Sequence, residues 1–207
     1  GGEGEIVEKK SRFIATVQSV ESEEEALAFV ASMKKKYWNA THNCSAFVVG
    51  EHMELQRCSD DGEPQGTAGR PMLDVLLGEE IHNVAVVVTR YFGGTLLGTG
   101  GLVRAYSKAV QEGLKNSVII EKQEGIRLRV QTDYTDIGKI QYQLGQKGFL
   151  ITDSAYTDVV QIETLVPADE AEGLLKDLTE ATSARVKIIE KKPVCFAFAN
   201  GEPLIFS

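Results

Sequence analysis

Val84-Ala85-Val86-Val87-Val88-Thr89-Arg90-Tyr91-Phe92-Gly93-Gly94-Thr95-Leu96-Leu97-Gly98-Thr99-Gly100-Gly101-Leu102-Val103-Arg104 decides the reading of the first half. Val84 to Thr89 is a continuous apolar, β-branched run, which predicts a strand buried on both faces. Leu102 to Lys115 repeats apolar residues at helical spacing. Between strand and helix lie Gly93, Gly94, Gly98, Gly100 and Gly101, which let the backbone take positive φ and approach another surface closely. Thr99 is a candidate N-cap, which would leave the next N–H groups pointing outward, where the helix dipole favours an anion. Arg90 and Arg104 bracket this turn and Lys108 follows one helical turn later, so backbone donors and guanidinium forks together suit a phosphate. The spacing matches neither GxGxxG nor the Walker loop, and glycines that only permit tight strand–helix packing remain an equal alternative.

Upstream, Arg12 to Val17 alternates as a strand. Ser22-Glu23-Glu24-Glu25 offers an N-cap and an acidic first turn for a helix that runs through Ala26, Leu27, Phe29, Val30 and Met33 to Lys34-Lys35-Lys36. A basic last turn is expected of a solvated helix end without any ligand. Ser45 to Val49 and Leu55 to Cys58 read as two further strands. Pro71, at an expected first helical position, leads a helix through Met72, Leu73, Val75, Leu76 and Leu77 that Gly78 would close.

The loop Ser59 to Arg70 carries Asp60, Asp61 and Glu63 within four positions. Turn formation, signalled by Asp61-Gly62, is the leading reading. Hydrogen bonding to basic neighbours comes next, ahead of a divalent-cation or acid–base site. His42 and Cys44, with Cys58 further on, lack a fourth ligand and a zinc-like spacing, so a buried or hydrogen-bonded His42 is expected and no metal or cofactor is assigned. Neither G-x-S-x-G nor H-E-x-x-H occurs, and no catalytic residue is named.

From about Gly125 the rhythm changes. Ile126 to Val130 alternates as a strand, Asp136 to Lys147 reads as a helix stopped by Gly148, and Phe149 to Tyr156 and Val159 to Val166 read as strands. A helix from Pro167 and a last strand, Ala184 to Ile189, complete β-α-β-β-α-β, the ferredoxin-like plan. The fold class is therefore α+β, with a first domain over 1–123, a ferredoxin-like domain over 124–192 and an apolar tail over 193–207. Asn200-Gly201 in the tail is a hairpin signal.

The chain has 207 residues and a net charge of −8, shared equally between its halves, which argues against a protein coated in basic residues for indiscriminate nucleic-acid binding. No apolar stretch approaches the roughly 20 residues of a membrane-spanning helix. The opening Gly1 to Glu5 lacks the basic and apolar regions of a signal peptide. Three cysteines without CxxC spacing favour reduced thiols, with the cytoplasm as default location and no membrane partner.

Lys10-Ser11-Arg12-Phe13-Ile14, His42-Asn43-Cys44, Ser59 to Gly69 (SDDGEPQGTAG) and Arg90 to Tyr106 (RYFGGTLLGTGGLVRAY) together resemble the YigZ/IMPACT family over about residues 6–120. The second half is similar to the small ferredoxin-like domain of its bacterial members. The resemblance implies a first domain like a small-subunit ribosomal protein and domain IV of elongation factor G, followed by a domain like domain V of that factor. A shared superfold is an analogy for function only. It nonetheless favours contact with RNA or the ribosome and a role in translational regulation. Gly93, Gly94, Gly98, Thr99, Gly100 and Gly101 would contact phosphates, supported by Arg90, Arg104, Arg70, Arg12 and Lys10. An enzyme acting on a phosphorylated small molecule or nucleotide, or a protein–protein adaptor, are the alternatives.

Overall fold

The computed structural model describes residues 1–206. The chain divides into two compact units, Gly1–Ile119 and the remainder from Ile120.

The first unit contains β1 (Gly2–Glu8), β2 (Ser11–Ser19), α1 (Glu23–Lys36), β3 (His42–Val49), β4 (Leu55–Ser59), α2 (Gly69–Gly78), β5 (Val84–Tyr91) and α3 (Gly98–Lys115). Its sheet runs β1-β2-β5-β3-β4 with every neighbouring pair antiparallel. The expected burial of Val84 to Thr89 on both faces holds, although the sheet is not parallel. Helices cover both of its faces. On one, Val84, Val86 and Val88 pack with Phe13, Met72, Leu76, Tyr106 and Val110, beneath α2 and α3. On the other, Ala85 and Val87 pack with Phe29, Met33 and Phe47, beneath α1. Complete burial of each such large side chain contributes about 1.5–3 kcal/mol.

Local signals account for the helix starts with two corrections. Ser22 caps α1, its side chain accepting from Glu25 N at 3.2 Å. Helix α2 begins at Gly69 rather than Pro71, because the loop ahead of it supplies a carboxylate cap two residues earlier than the proline suggests. Helix α3 begins at Gly98, so Thr99 lies inside its first turn and is not the N-cap. Strand β1 is one that no sequence signal announces. It joins β2 through the two-residue turn Lys9-Lys10, whose φ values of 46° and 68° match a tight hairpin of the primed type.

The second unit contains β6 (Gln123–Thr132), α4 (Ile137–Lys147), β7 (Ile151–Tyr156), β8 (Val160–Pro167), α5 (Ala171–Ala181), β9 (Lys187–Ala199) and β10 (Glu202–Phe206). The order β10-β9-β6-β8-β7, antiparallel throughout, is the ferredoxin-like arrangement with β10 added at one edge. The last strand of that plan is longer than Ala184 to Ile189: β9 runs on through Pro193 and turns at Asn200-Gly201 into β10. Asp136 precedes α4 and is wholly enclosed; Arg185 and then Lys139 hold its carboxyl down to about 2. The fold is α+β in both units. Among the described residues no helix is long and apolar enough to cross a membrane.

Candidate functional site

Strand β5 delivers Arg90 to the α2/α3 face of its sheet, in register with Phe13 of β2. Period-two alternation makes this unavoidable, since Arg90 continues the inward row Val84, Val86, Val88. The guanidinium is therefore buried, 5% exposed, and cannot act as a surface phosphate ligand where it stands. Its Nη1 donates to Glu63 Oε1 at 2.6 Å and its Nη2 to Ser11 Oγ at 3.3 Å. The hydroxyl of Tyr106, on α3, donates to the same Glu63 oxygen at 2.7 Å. Burial, and then its sulfur and carboxylate neighbours, push the Tyr106 phenol far up, so it remains a neutral donor. His42 completes the ring, with Nε2 3.7 Å from Glu63 Oε2 and Nδ1 2.8 Å from the Asp61 carbonyl oxygen.

The three acidic side chains of the loop diverge. Glu63 turns inward to Arg90 and Tyr106. The carboxylate of Asp60 accepts from Gly66 N at 2.9 Å, Ala68 N at 3.2 Å and Gly69 N at 2.8 Å, which caps α2. Desolvation raises its pKa, but those three donors outweigh it and hold the carboxyl below its usual range. Asp61 accepts from Lys34 Nζ at 2.6 Å and from Asn43 N at 2.7 Å. Partial burial again opposes, and Lys34 with the Asn43 N–H again prevails, so this carboxyl also sits low. Each is thus committed to a different partner, and the geometry favours hydrogen bonding over a shared cation or acid–base pair. Among the described residues no group of three His, Cys, Asp or Glu side chains could hold a metal ion. Cys44, whose thiol donates to the Asp60 carbonyl at 3.0 Å, is pushed up to about 12 by burial, which removes it as a nucleophile.

On the outside of this buried knot lies the glycine-rich turn. Gly93 N donates to Ser11 Oγ at 3.1 Å, and a Cβ at Gly93 would stand 2.1 Å from the Lys10 carbonyl carbon, so only glycine permits the approach. Leu97 is right-handed (φ −85°) and Gly98 has φ +75°, an alternation of the kind that turns successive N–H groups into one concavity. No side chain caps α3. Gly98, Thr99 and Gly100 are exposed, and a Cβ at Gly100 would lie 3.4 Å from a guanidinium nitrogen of Arg104.

Beside it, Glu8, Lys9, Leu97, Gly101, Arg104 and Lys108 line a shallow groove of about 290 Å³. Lys108 reaches Glu8 at 3.2 Å, whereas Lys9, Lys10 and Arg104 have no ion-pair partner among the described residues. Arg104 lies beside Gly100 and the Lys10 backbone beside Gly93, while Lys108 and Lys9, the latter missed by sequence reasoning, line the adjoining groove. Two other arginines are committed elsewhere: Arg12 to Glu5 at 2.8 Å and Arg70 to Asp74 at 2.7 Å, each on the surface.

The chain is similar to known proteins over both units. A family model described as the Impact N-terminal domain matches residues 9–114, and one described as a domain of unknown function (DUF1949) matches residues 130–185. The Bacillus subtilis (strain 168) protein named IMPACT family member YvyE is 46% identical over 189 residues, 91% of this chain and 87% of its own. The Escherichia coli (strain K12) protein named IMPACT family member YigZ is 40% identical over 162 residues, 77% of this chain and 79% of its own. A crystal structure of a hypothetical protein, 35% identical, aligns over 91% of this chain and 93% of that one with a TM-score of 0.54.

Proposed function

This chain belongs to the IMPACT family, and from that premise we propose that it contacts RNA or the ribosome in translational regulation, holding phosphates on the Gly93–Gly101 turn. The observation that carries the reading is the first turn of α3, uncapped and glycine-lined, with Arg104 beside Gly100 and Lys9 and Lys108 along the adjoining groove. Backbone N–H groups and cationic side chains suit phosphate oxygens without reading sequence. A net charge of −8 constrains the reading: contact with a polyanion has to come from a local cluster of donors, and this turn offers one. The translational setting is what the family resemblance implies, since its members' two domains are expected to be like domains of a translation factor.

Cosedimentation with purified ribosomes and with structured RNA across a salt series tests this. Binding should weaken as salt rises, and Arg104→Ala/Lys108→Ala should lower the logarithmic salt slope by about 1 per lost phosphate contact. Absence of binding at low salt would overturn the reading. The groove supports a second reading, a phosphorylated small molecule or nucleotide held by the same donors, because about 290 Å³ is close to the smallest ligand pockets. A nucleotide-dependent rise in melting temperature, without ribosome binding, would select it.

A further inference from the structure

Trp38, the one tryptophan of the sequence, is 81% exposed. A single exposed ring is ordinary on a protein surface, and it is the setting of this one that singles it out. The segment that follows it is bonded to the end of β5: Tyr91 Oη donates to Asn39 Oδ1 at 3.1 Å, Thr41 N to the Arg90 carbonyl at 2.9 Å, and Phe92 N to Thr41 Oγ1 at 3.0 Å. Trp38 therefore sits one residue from a segment tied to the strand end that continues directly into Gly93.

Phe92 is half exposed, and its inner side is occupied. The buried Arg90 guanidinium lies 5.6 Å from the Phe92 ring centre and 5.4 Å from that of Phe13. Because Glu63 fixes that guanidinium, Phe92 rests on a rigid base with its outer side toward solvent. Cations accompany the neighbouring rings as well, with Lys36 Nζ 4.8 Å from the Tyr37 ring and Arg12 5.8 Å from that of Tyr91. Two exposed rings, Trp38 and Phe92, with half-buried Tyr37 and Tyr91 and their cations between, lie beside a phosphate-ready turn to which Phe92 is joined directly and the Trp38 segment by hydrogen bonds. Unpaired nucleobases recognise such a surface by stacking on the rings while the backbone follows the charge. A duplex keeps its bases stacked on each other and has nothing to give such rings.

We propose that Trp38 and Phe92 form a stacking platform for unpaired bases, so that the nucleic acid held by this chain is single-stranded or splayed RNA. This rests on the phosphate-contact reading of the turn and adds its substrate class. Charge complementarity favours RNA over a purely apolar protein partner, since Lys9, Lys10 and Arg104 flank the turn without ion-pair partners among the described residues.

The single tryptophan makes the test direct. The full chain is titrated with an adenylate oligomer, with a ribose-phosphate strand of equal length lacking bases, and with a duplex of equal phosphate number. Trp38 emission and anisotropy of labelled strands are both read. The adenylate strand should alter Trp38 emission and bind roughly a hundredfold more tightly than the abasic one, about tenfold for each ring. Phe92→Ala and Trp38→Leu should each weaken adenylate binding about tenfold while leaving the abasic strand unchanged, and Trp38→Phe should recover most of the loss. Equal, salt-dependent binding of all three polymers with unchanged emission would overturn the platform and leave the phosphate reading standing. No binding of any polymer at low salt would remove both. Unchanged RNA affinity in Trp38→Leu would also overturn the platform and leave a protein partner for that surface.

Discussion

Helices α2 and α3 start in the same unit, each after a loop rich in glycine, and their N-termini are finished in opposite ways. At α2 the Asp60 carboxylate takes the N–H groups of Gly66, Ala68 and Gly69. At α3 no side chain takes the corresponding donors, and the cation Arg104 reaches to within 3.4 Å of where a Cβ at Gly100 would stand. The first arrangement spends a charge on stability. The second leaves the dipole and its donors for something outside. Between them, Glu63 from the α2 loop meets Arg90 and the α3 residue Tyr106, so the closed end braces the open one.

The largest effect is expected from breaking that brace. Arg90→Ala leaves Glu63 buried, 7% exposed, without its countercharge, and removal of one partner from a buried pair costs about 3–5 kcal/mol. Urea denaturation of the variant should show that loss of stability. A change below about 1 kcal/mol would mean that the Glu63–Arg90 contact does not hold the loop. Ribosome binding would fall as well, through misplacement of Phe92 and Gly93.

The open/closed distinction is only half legible in the sequence. Apolar runs, caps and the β-α-β-β-α-β rhythm lead to most elements, because those signals are local. Closeness in sequence to the glycines suggests Arg90 as a phosphate ligand, although its alternation with Val84, Val86 and Val88 already points it inward. Its partner Glu63 lies 27 positions away, and no local pattern links them. Strand β1 escapes for a different reason. A Cβ at Gly4 would stand 2.6 Å from backbone atoms of Glu112 and Gly113, so α3 lies directly on that strand. The inward apolar residue that would have announced the strand is therefore excluded there. Lys9-Lys10 hides the hairpin too, since neither residue is a usual turn former.

A smaller loss is expected from opening the closed helix. Asp60→Ala should destabilise the first unit by about 0.5–2 kcal/mol, the range of lost N-caps. The same carboxylate should contribute to acid sensitivity. Its folded pKa is depressed, so its stabilisation is fully present above the ordinary value of 3.8 and is lost as pH falls below that toward the folded value. Melting temperatures between about pH 5 and pH 2 should therefore fall less steeply in Asp60→Asn than in the unaltered chain. Parallel curves would show that the three N–H bonds do not set the acid limb.

At the open helix, Arg104→Ala should leave stability within about 0.5 kcal/mol, because the side chain is exposed and without an ion-pair partner among the described residues. RNA affinity should fall and its salt slope should decline by about 1. Equal losses of stability and binding would instead make Arg104 part of the scaffold.

A similarly small effect on stability, but of opposite sign and the sharpest on the comparison, is expected from giving α3 an acid like the one that serves α2. Thr99 is exposed within the first turn, and Thr99→Glu places a carboxylate beside the uncapped donors without disturbing the core. The dipole then favours the variant by about 0.3–1 kcal/mol, so thermal unfolding should shift slightly upward. Phosphate binding should move the other way, because the new charge repels the ligand and competes for the same N–H groups. An increase in stability together with loss of ribosome cosedimentation would establish that the two ends differ by use rather than by accident of packing. If Thr99→Glu gains stability and binds ribosomes as the unaltered chain does, the open end of α3 is not where phosphates are held.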